Sequence, residues 1–227
     1  QYIRVPKEWV IKKPSNISLK ELMVYGTAGF TAALSVDKLL RFGINISGGD
    51  VIVTGATGGV GLFSIGILKK LGFDVVAVTG KKDKGDFLRN IGAKDVIGRE
   101  DVEDSSGKPL LKPKWNAAVD SVGGSILSSI ICSMKYGGAV AVCGLAQSPK
   151  LDITVFPFIL RGVSILGIDS VELHRDDKEA ILHKISNEYK IDDLSLIYTE
   201  VYLEDIKYLV PEMLKGNLVG RYIVKID

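Results

Sequence analysis

Cysteine and histidine are scarce. Among 227 residues there are two of each, Cys132, Cys143, His174 and His183. No CxxC, HExxH or HxxxH spacing occurs, and a tetrahedral zinc site needs three or four such ligands. Neither a metal centre nor a disulfide framework is expected. Both cysteines lie in apolar context and read as buried thiols. Both histidines fall on a charged segment and read as surface residues. A charge of one sign is also missing: 29 basic residues face 27 acidic ones, for a net +2, and neither end is a charged tail. The electrostatic case for nucleic acid or an anionic membrane is therefore weak. No apolar run reaches the roughly 18 residues of a membrane span. Gln1 to Pro14 lacks the apolar core of a signal peptide, so a cytoplasmic chain is expected. Gln1 is an odd first residue and suggests a truncated or processed chain.

What is present is ordinary globular composition, 46% hydrophobic and 25% charged. The length exceeds the usual single-domain mode of about 100–150 residues, which predicts one large domain or a domain with appendages. Short β-rich runs alternate with helix-length segments. The runs are Val51 to Thr54, Phe73 to Thr79, Lys94 to Ile97, Asn116 to Asp120, Gly138 to Cys143 and Val163 to Ile168. They are mostly apolar, as strands buried on both faces of a parallel sheet should be. Helices are expected over Gly59 to Leu71, Lys84 to Ile91 and Ser125 to Met134. The first is apolar nearly all round and ends in Lys69 and Lys70 before Gly72, a cationic last turn and a C-cap glycine. This alternation predicts a doubly wound α/β sheet. The polar stretch from Glu100 to Lys114 reads as a surface loop. Beyond the sheet, a charged helix is expected over Asp176 to Glu188. A strand over Tyr198 to Tyr202, a helix near Leu203 to Lys215 and a last strand over Gly220 to Ile226 follow.

The strongest chemical motif, VIVTGATGGVG from Val51 to Gly61, follows an expected strand and opens an expected helix. Gly58, Gly59 and Gly61 remove side chains where a pyrophosphate approaches and where helix meets strand, and the helix N-terminus offers N–H groups to phosphate. The GxGxxG spacing is met as ATGGVG, with Ala56 in the first place. Lysine is absent after Gly61, where Leu62 stands, so the GxxxxGK[ST] loop of nucleotide triphosphatases is excluded. The second strand ends in Thr79, Gly80, Lys81 and Lys82. An NAD site usually places an acid at that tip to hold the ribose 2′-OH. A hydroxyl and two cations suit a 2′-phosphate instead, which favours NADP, while Asp83 just beyond the turn is the argument for NAD. Asp120, beside Ser121 and Gly123, reads as a turn cap rather than a catalytic acid.

Several stretches occur in a telling order: YGTAGFTA (25–32), VTGATGGVG (53–61), DSVGG (120–124), YGG (136–138), CGL (143–145), PFILRGV (157–163) and GIDSV (167–171). Together they resemble the medium-chain dehydrogenase/reductase superfamily. More narrowly they resemble its zinc-independent quinone-oxidoreductase branch, which includes acrylyl-CoA reductases. The resemblance spans nearly the whole chain. It implies a six-stranded Rossmann sheet with partial remnants of a GroES-like catalytic domain. Residues 1–24 would be a remnant of that domain and a linker, 25–170 the dinucleotide-binding domain, and 171–227 a return segment to the catalytic domain.

The resemblance also implies a site. Gly58, Gly59 and Val60 would take the pyrophosphate of NADPH. Thr79, Gly80 and Lys81 would surround the 2′-phosphate, with Arg99 near the adenine ribose phosphate; lysine at position 81 keeps the charge but lacks the bidentate fork of the arginine many relatives carry there. Leu145, Ile159, Ser170 and Thr27 would lie at the nicotinamide end, and Arg221 would reach back from the last strand. The implied reaction is hydride transfer from NADPH to the β-carbon of an activated alkene, an enoyl thioester or a quinone. No catalytic acid is identified, because the family's substrate-side residues precede residue 1. A short-chain dehydrogenase is set aside, since no tyrosine has lysine four residues later. The alternative of a different class is a dinucleotide-binding fragment or NADPH-sensing module without turnover. Relatives in the branch form homodimers, and the apolar run Val163 to Ile168 is the expected edge.

Overall fold

The computed structural model describes residues 2–226; Gln1, whose place at the start suggested truncation, lies outside the described residues. Six strands form one parallel sheet: β1 (Val51–Val53), β2 (Val75–Val78), β3 (Asp95–Ile97), β4 (Trp115–Asp120), β5 (Met134–Val142) and β6 (Ser164–Gly167), in the order β3-β2-β1-β4-β5-β6. Ile52 pairs with Val76 on one side and with Ala118 on the other. The chain builds outward from β1 to β3, then returns to build β4 to β6 on the opposite side. The connections after β1 and β4 therefore diverge, and the strand ends open a crevice between them.

Successive strand residues face opposite sides, and both sides are covered. Val51, Val53, Val75, Ala77, Ala117, Val119, Ala139 and Ala141 pack in one buried cluster. Ile52, Val76, Val78, Ala118 and Val140 pack in the other. Two-sided burial is why these strands read as apolar runs rather than alternating ones. The three expected helices follow, α2 (Gly59–Lys70), α3 (Gly85–Ile91) and α4 (Gly124–Cys132), and a short one that was not expected, α5 (Phe156–Arg161), precedes β6. In α2 every residue from Gly61 to Leu68 is buried, and Gly72 closes it with φ +87°. The α4 helix stops short of Met134, because β5 begins there rather than at Gly138; a bulge between Trp115 and Ala117 absorbs the extra length. Residues 100–114 carry no helix or strand, as their polarity predicts.

The long helix α1 (Leu19–Phe42) was not expected either. It opens with a capping box: the Ser18 hydroxyl accepts the Glu21 N–H at 3.1 Å, and the Ser18 N–H donates to Glu21 Oε2 at 2.7 Å. It runs across the anticipated boundary between residues 24 and 25 and breaks only at Gly26, where φ 47° and ψ −154° are open to glycine alone. Tyr25, just before the break, stacks on Phe63 of α2 with centroids 4.8 Å apart.

The C-terminal part holds α6 (Arg175–Ser186), β7 (Tyr198–Tyr202), α7 (Ile206–Leu214) and β8 (Arg221–Lys225), with β7 and β8 paired in parallel. It is not separate from the main body. Ile181, Ile185 and Tyr189 join the core under α1. Buried Asp37 of α1 accepts from Lys184 at 2.6 Å, pairs with Arg41 at 2.7 Å and accepts from the Tyr189 hydroxyl at 3.3 Å. No helix among the described residues is long and apolar enough to cross a membrane.

Candidate functional site

The site grows from the turn between β1 and α2. Thr54 N–H donates to Val119 O and Ala56 N–H to Val78 O, so the turn is stitched to the ends of β4 and β2. Gly55 then takes φ +59°. The left-handed residue is thus Gly55, not one of the glycines of the ATGGVG reading, and the turn is one residue longer than GxGxxG. Ala56, expected in the first glycine place, is instead fully buried. Gly58 caps α2 with ordinary extended angles, φ −84° and ψ 169°. Gly61 is where helix meets turn: a Cβ there would lie 2.4 Å from Gly55 O and 2.7 Å from Ala56 Cα. The N–H groups of Gly59, Val60 and Gly61 have no partners within the helix and face outward with the positive end of its dipole.

The other wall is the end of β4. Asp120 is fully buried. Its Oδ1 accepts from the Thr54 hydroxyl at 2.7 Å, and its Oδ2 accepts the N–H groups of Gly123 at 2.8 Å and Val122 at 3.2 Å. Burial pushes this carboxyl up, against the pull of those three donors. Its bonds are those of a clamp joining the two diverging turns. The Cys143 thiol donates to Asp120 O at 3.2 Å, and burial raises it to about 11. Cys143 is half-buried rather than buried, and Cys132 is buried; neither is in a disulfide.

Three cations gather along this edge. Arg221, at the start of β8, lies against both the break in α1 and the start of α2: a Cβ on Gly26 would be 2.7 Å from its Nη2, and one on Gly59 would be 2.9 Å from its Cδ. Burial lowers its pKa. At the tip of β2, Thr79 is buried, and its Oγ1 accepts the Lys81 N–H at 3.0 Å. The Arg99 guanidinium lies over Gly80, where a Cβ would come within 3.2 Å of its Cζ and Nε. Lys81 donates its ammonium to Leu218 O at 2.5 Å, and burial lowers its pKa. Among the described residues, none of Lys81, Arg99 and Arg221 has a carboxylate within ion-pair distance. Lys82 does, pairing with Glu100 at 2.5 Å, so it is an ordinary surface cation.

The remaining expected residues divide. Thr27 follows the break at Gly26, and its carbonyl accepts from the Thr31 hydroxyl, whose oxygen is also within hydrogen-bond distance of Ser170 Oγ, at 3.2 Å. Thr27 and Ser170 are thereby brought together, through Thr31, which had not been singled out. Leu145 is 64% exposed beside the Gly123 turn. Ile159 was expected at the nicotinamide end with Leu145. It stands exposed on α5, two residues from Arg161, whose guanidinium binds the carbonyls of Cys132, Met134 and Leu111 at the opposite edge of the sheet. His174 and His183 are exposed. No three His, Cys, Asp or Glu side chains among the described residues converge as a metal site.

Residues 59–187 match the family described as zinc-binding dehydrogenase. The chain is 48% identical over 227 residues to Bacillus subtilis YhfP, a protein named provisionally as a quinone oxidoreductase, and spans 69% of it. The crystal structure of YhfP with NAD bound matches 98% of this chain and 68% of that one at TM-score 0.94. Acrylyl-CoA reductase AcuI of Ruegeria pomeroyi is 37% identical over the whole chain, which spans 69% of it. The yhdH oxidoreductase of Salmonella enterica, solved in complex with NADP, is also 37% identical, with TM-score 0.95 over 99% of this chain and 68% of that one.

Proposed function

Since the chain belongs to the zinc-binding dehydrogenases of the medium-chain dehydrogenase/reductase superfamily, we propose that its NADPH-dependent oxidoreductase chemistry is the reduction of an activated alkene, an enoyl thioester or a quinone. The observation that carries this reading is the set of three cations without carboxylate partners along one edge of the sheet. Such a set calls for an anion with two separated phosphate groups. The first-turn N–H groups of α2 and Arg221 suit a pyrophosphate. Lys81 and Arg99, at the β2 and β3 ends, suit a 2′-phosphate. The donor set therefore fits NADPH better than NADH, in line with the NADP held by the Salmonella enterica relative.

In this reading the bound cofactor supplies the hydride. The chain's own residues bind and orient. Gly58, Gly59 and Val60 let the main chain approach the pyrophosphate, and the Asp120 clamp holds that turn in register with the end of β4. Gly80 leaves room for the Arg99 guanidinium above the β2 tip. Thr27, Ser170, Leu145 and Ile159 border the nicotinamide end. Two copies join through the β6 edges. The segment divisions at residues 24 and 170 are functional ones, since α1 and α6 pack across them.

The test is fluorescence titration with NADPH and NADH, followed by turnover assays with acrylyl-CoA and a quinone. NADPH-dependent reduction of either substrate supports the proposal. Tight NADPH binding with no turnover of either supports instead a dinucleotide-binding module.

A further inference from the structure

The approach to β8 passes directly over the proposed cofactor edge. Residues 217–221 form a strap with four main-chain anchors. Asn217 N–H donates to Glu212 O at 2.9 Å, Gly220 N–H to Thr57 O at 2.9 Å, and Arg221 N–H to Ile197 O at 2.8 Å. The fourth is the Leu218 carbonyl, which holds the Lys81 ammonium at 2.5 Å across 137 positions of sequence. The strap thus touches the glycine turn through Thr57 and the tip of β2 through Lys81.

The acceptor on Lys81 is a neutral carbonyl, with no carboxylate in ion-pair range. A phosphate dianion is the stronger partner, because charge-assisted hydrogen bonds are roughly twice as strong as neutral ones. A phosphate within reach therefore competes with the carbonyl for the ammonium. Arg99 needs no such exchange, since it already lies free over Gly80. The two cations differ in kind: one lies open to any phosphate, and the other is already bonded to the strap.

We propose that Lys81 is a specificity latch. Without a 2′-phosphate, whether the site is empty or holds NADH, it keeps the Leu218 carbonyl. With NADPH it transfers to the 2′-phosphate and releases the strap at Leu218. Cofactor identity is then reported to the β7-α7-β8 unit through one hydrogen bond. This rests on the dinucleotide site proposed above. Arg221 meets the pyrophosphate that both nucleotides share, so comparing NADPH with NADH isolates the latch.

The experiment is hydrogen exchange on this chain, alone and saturated with NADH or NADPH, for the wild type and Lys81→Met. The readout is the amides of Asn217 and Gly220, which flank Leu218; the Arg221 amide, paired to Ile197, is the internal reference. The latch predicts exchange at Asn217 and Gly220 about two- to tenfold faster with NADPH than with NADH, the equilibrium weight of one hydrogen bond. Lys81→Met should show the faster exchange without any nucleotide and no further response to NADPH. It should also keep part of the NADPH preference through Arg99. Equal strap exchange with the two nucleotides, or unchanged exchange in unliganded Lys81→Met, overturns the latch while leaving the site standing. Failure of the wild type to bind either nucleotide overturns both.

Discussion

Alanine substitutions along the glycine turn should rank by geometry rather than by position in the motif. At Gly61 an added Cβ meets three main-chain atoms of the Gly55–Ala56 stretch, Gly55 O at 2.4 Å, Ala56 Cα at 2.7 Å and Ala56 C at 2.9 Å. None of these can rotate away, so the turn or the start of α2 has to shift. Overpacking of this kind costs about 1–3 kcal/mol, which for a chain of this size is a melting temperature lower by about 2–12 °C. At Gly58 the only close atom is Gly55 O at 3.2 Å, and φ −84° suits alanine. Gly58→Ala should cost less than about 1 kcal/mol. Gly59→Ala falls between, since one of its two close contacts is the flexible Arg221 side chain. Thermal unfolding followed by circular dichroism, with NADPH titration on each variant, measures the series. If Gly61→Ala melts with the wild type, or below it by no more than Gly58→Ala does, the packing argument for the turn is wrong.

Asp120→Ala leaves the Thr54 hydroxyl and two N–H groups without their acceptor, and should cost about 2–4 kcal/mol in denaturant unfolding; a loss under about 1 kcal/mol would show that water replaces the clamp. Asp120→Asn gives a pH signature. The carboxyl is raised in the folded chain, so wild-type stability falls as pH rises from the ordinary carboxylate value through the folded one, and the uncharged variant escapes that loss. The stability of Asp120→Asn relative to wild type should rise over that window, and a flat difference would contradict the direction of the shift. Ile165, 37% exposed on the edge strand β6, should matter to self-association: Ile165→Lys should convert a dimer to a monomer in sedimentation, whereas a wild type already monomeric would remove the proposed pairing.

The sheet was legible because its strands are short, apolar and buried on both faces, a pattern local residues carry by themselves. The α1 helix was hidden by its own composition. Gly26, Gly29, Thr27 and Thr31 are weak helix formers, and what holds them is tertiary: Tyr25 on Phe63 and the Asp37 network. The capping box Ser18-x-x-Glu21 and the C-terminal Arg41 and Gly43 were its local signals. Within the site, Gly58, Gly59 and Lys81 could be picked out because the residues stand at the ends of recognisable strands and helices, whereas Arg99 was named through the resemblance. Gly55 was passed over because ATGGVG matches the six-residue pattern one position too late. The Lys81–Leu218 bond and the Thr31 link to Ser170 join residues more than 130 positions apart, and no local pattern encodes such a pairing.

The central claim is that the cations at the β2 and β3 ends read a 2′-phosphate. Titration of the wild type and Arg99→Ala with NADPH and NADH tests it most directly. The account predicts NADPH binding at least about tenfold tighter, roughly 1.4 kcal/mol, with most of that margin lost in Arg99→Ala and NADH affinity unchanged. Equal affinity for the two nucleotides in the wild type would contradict it.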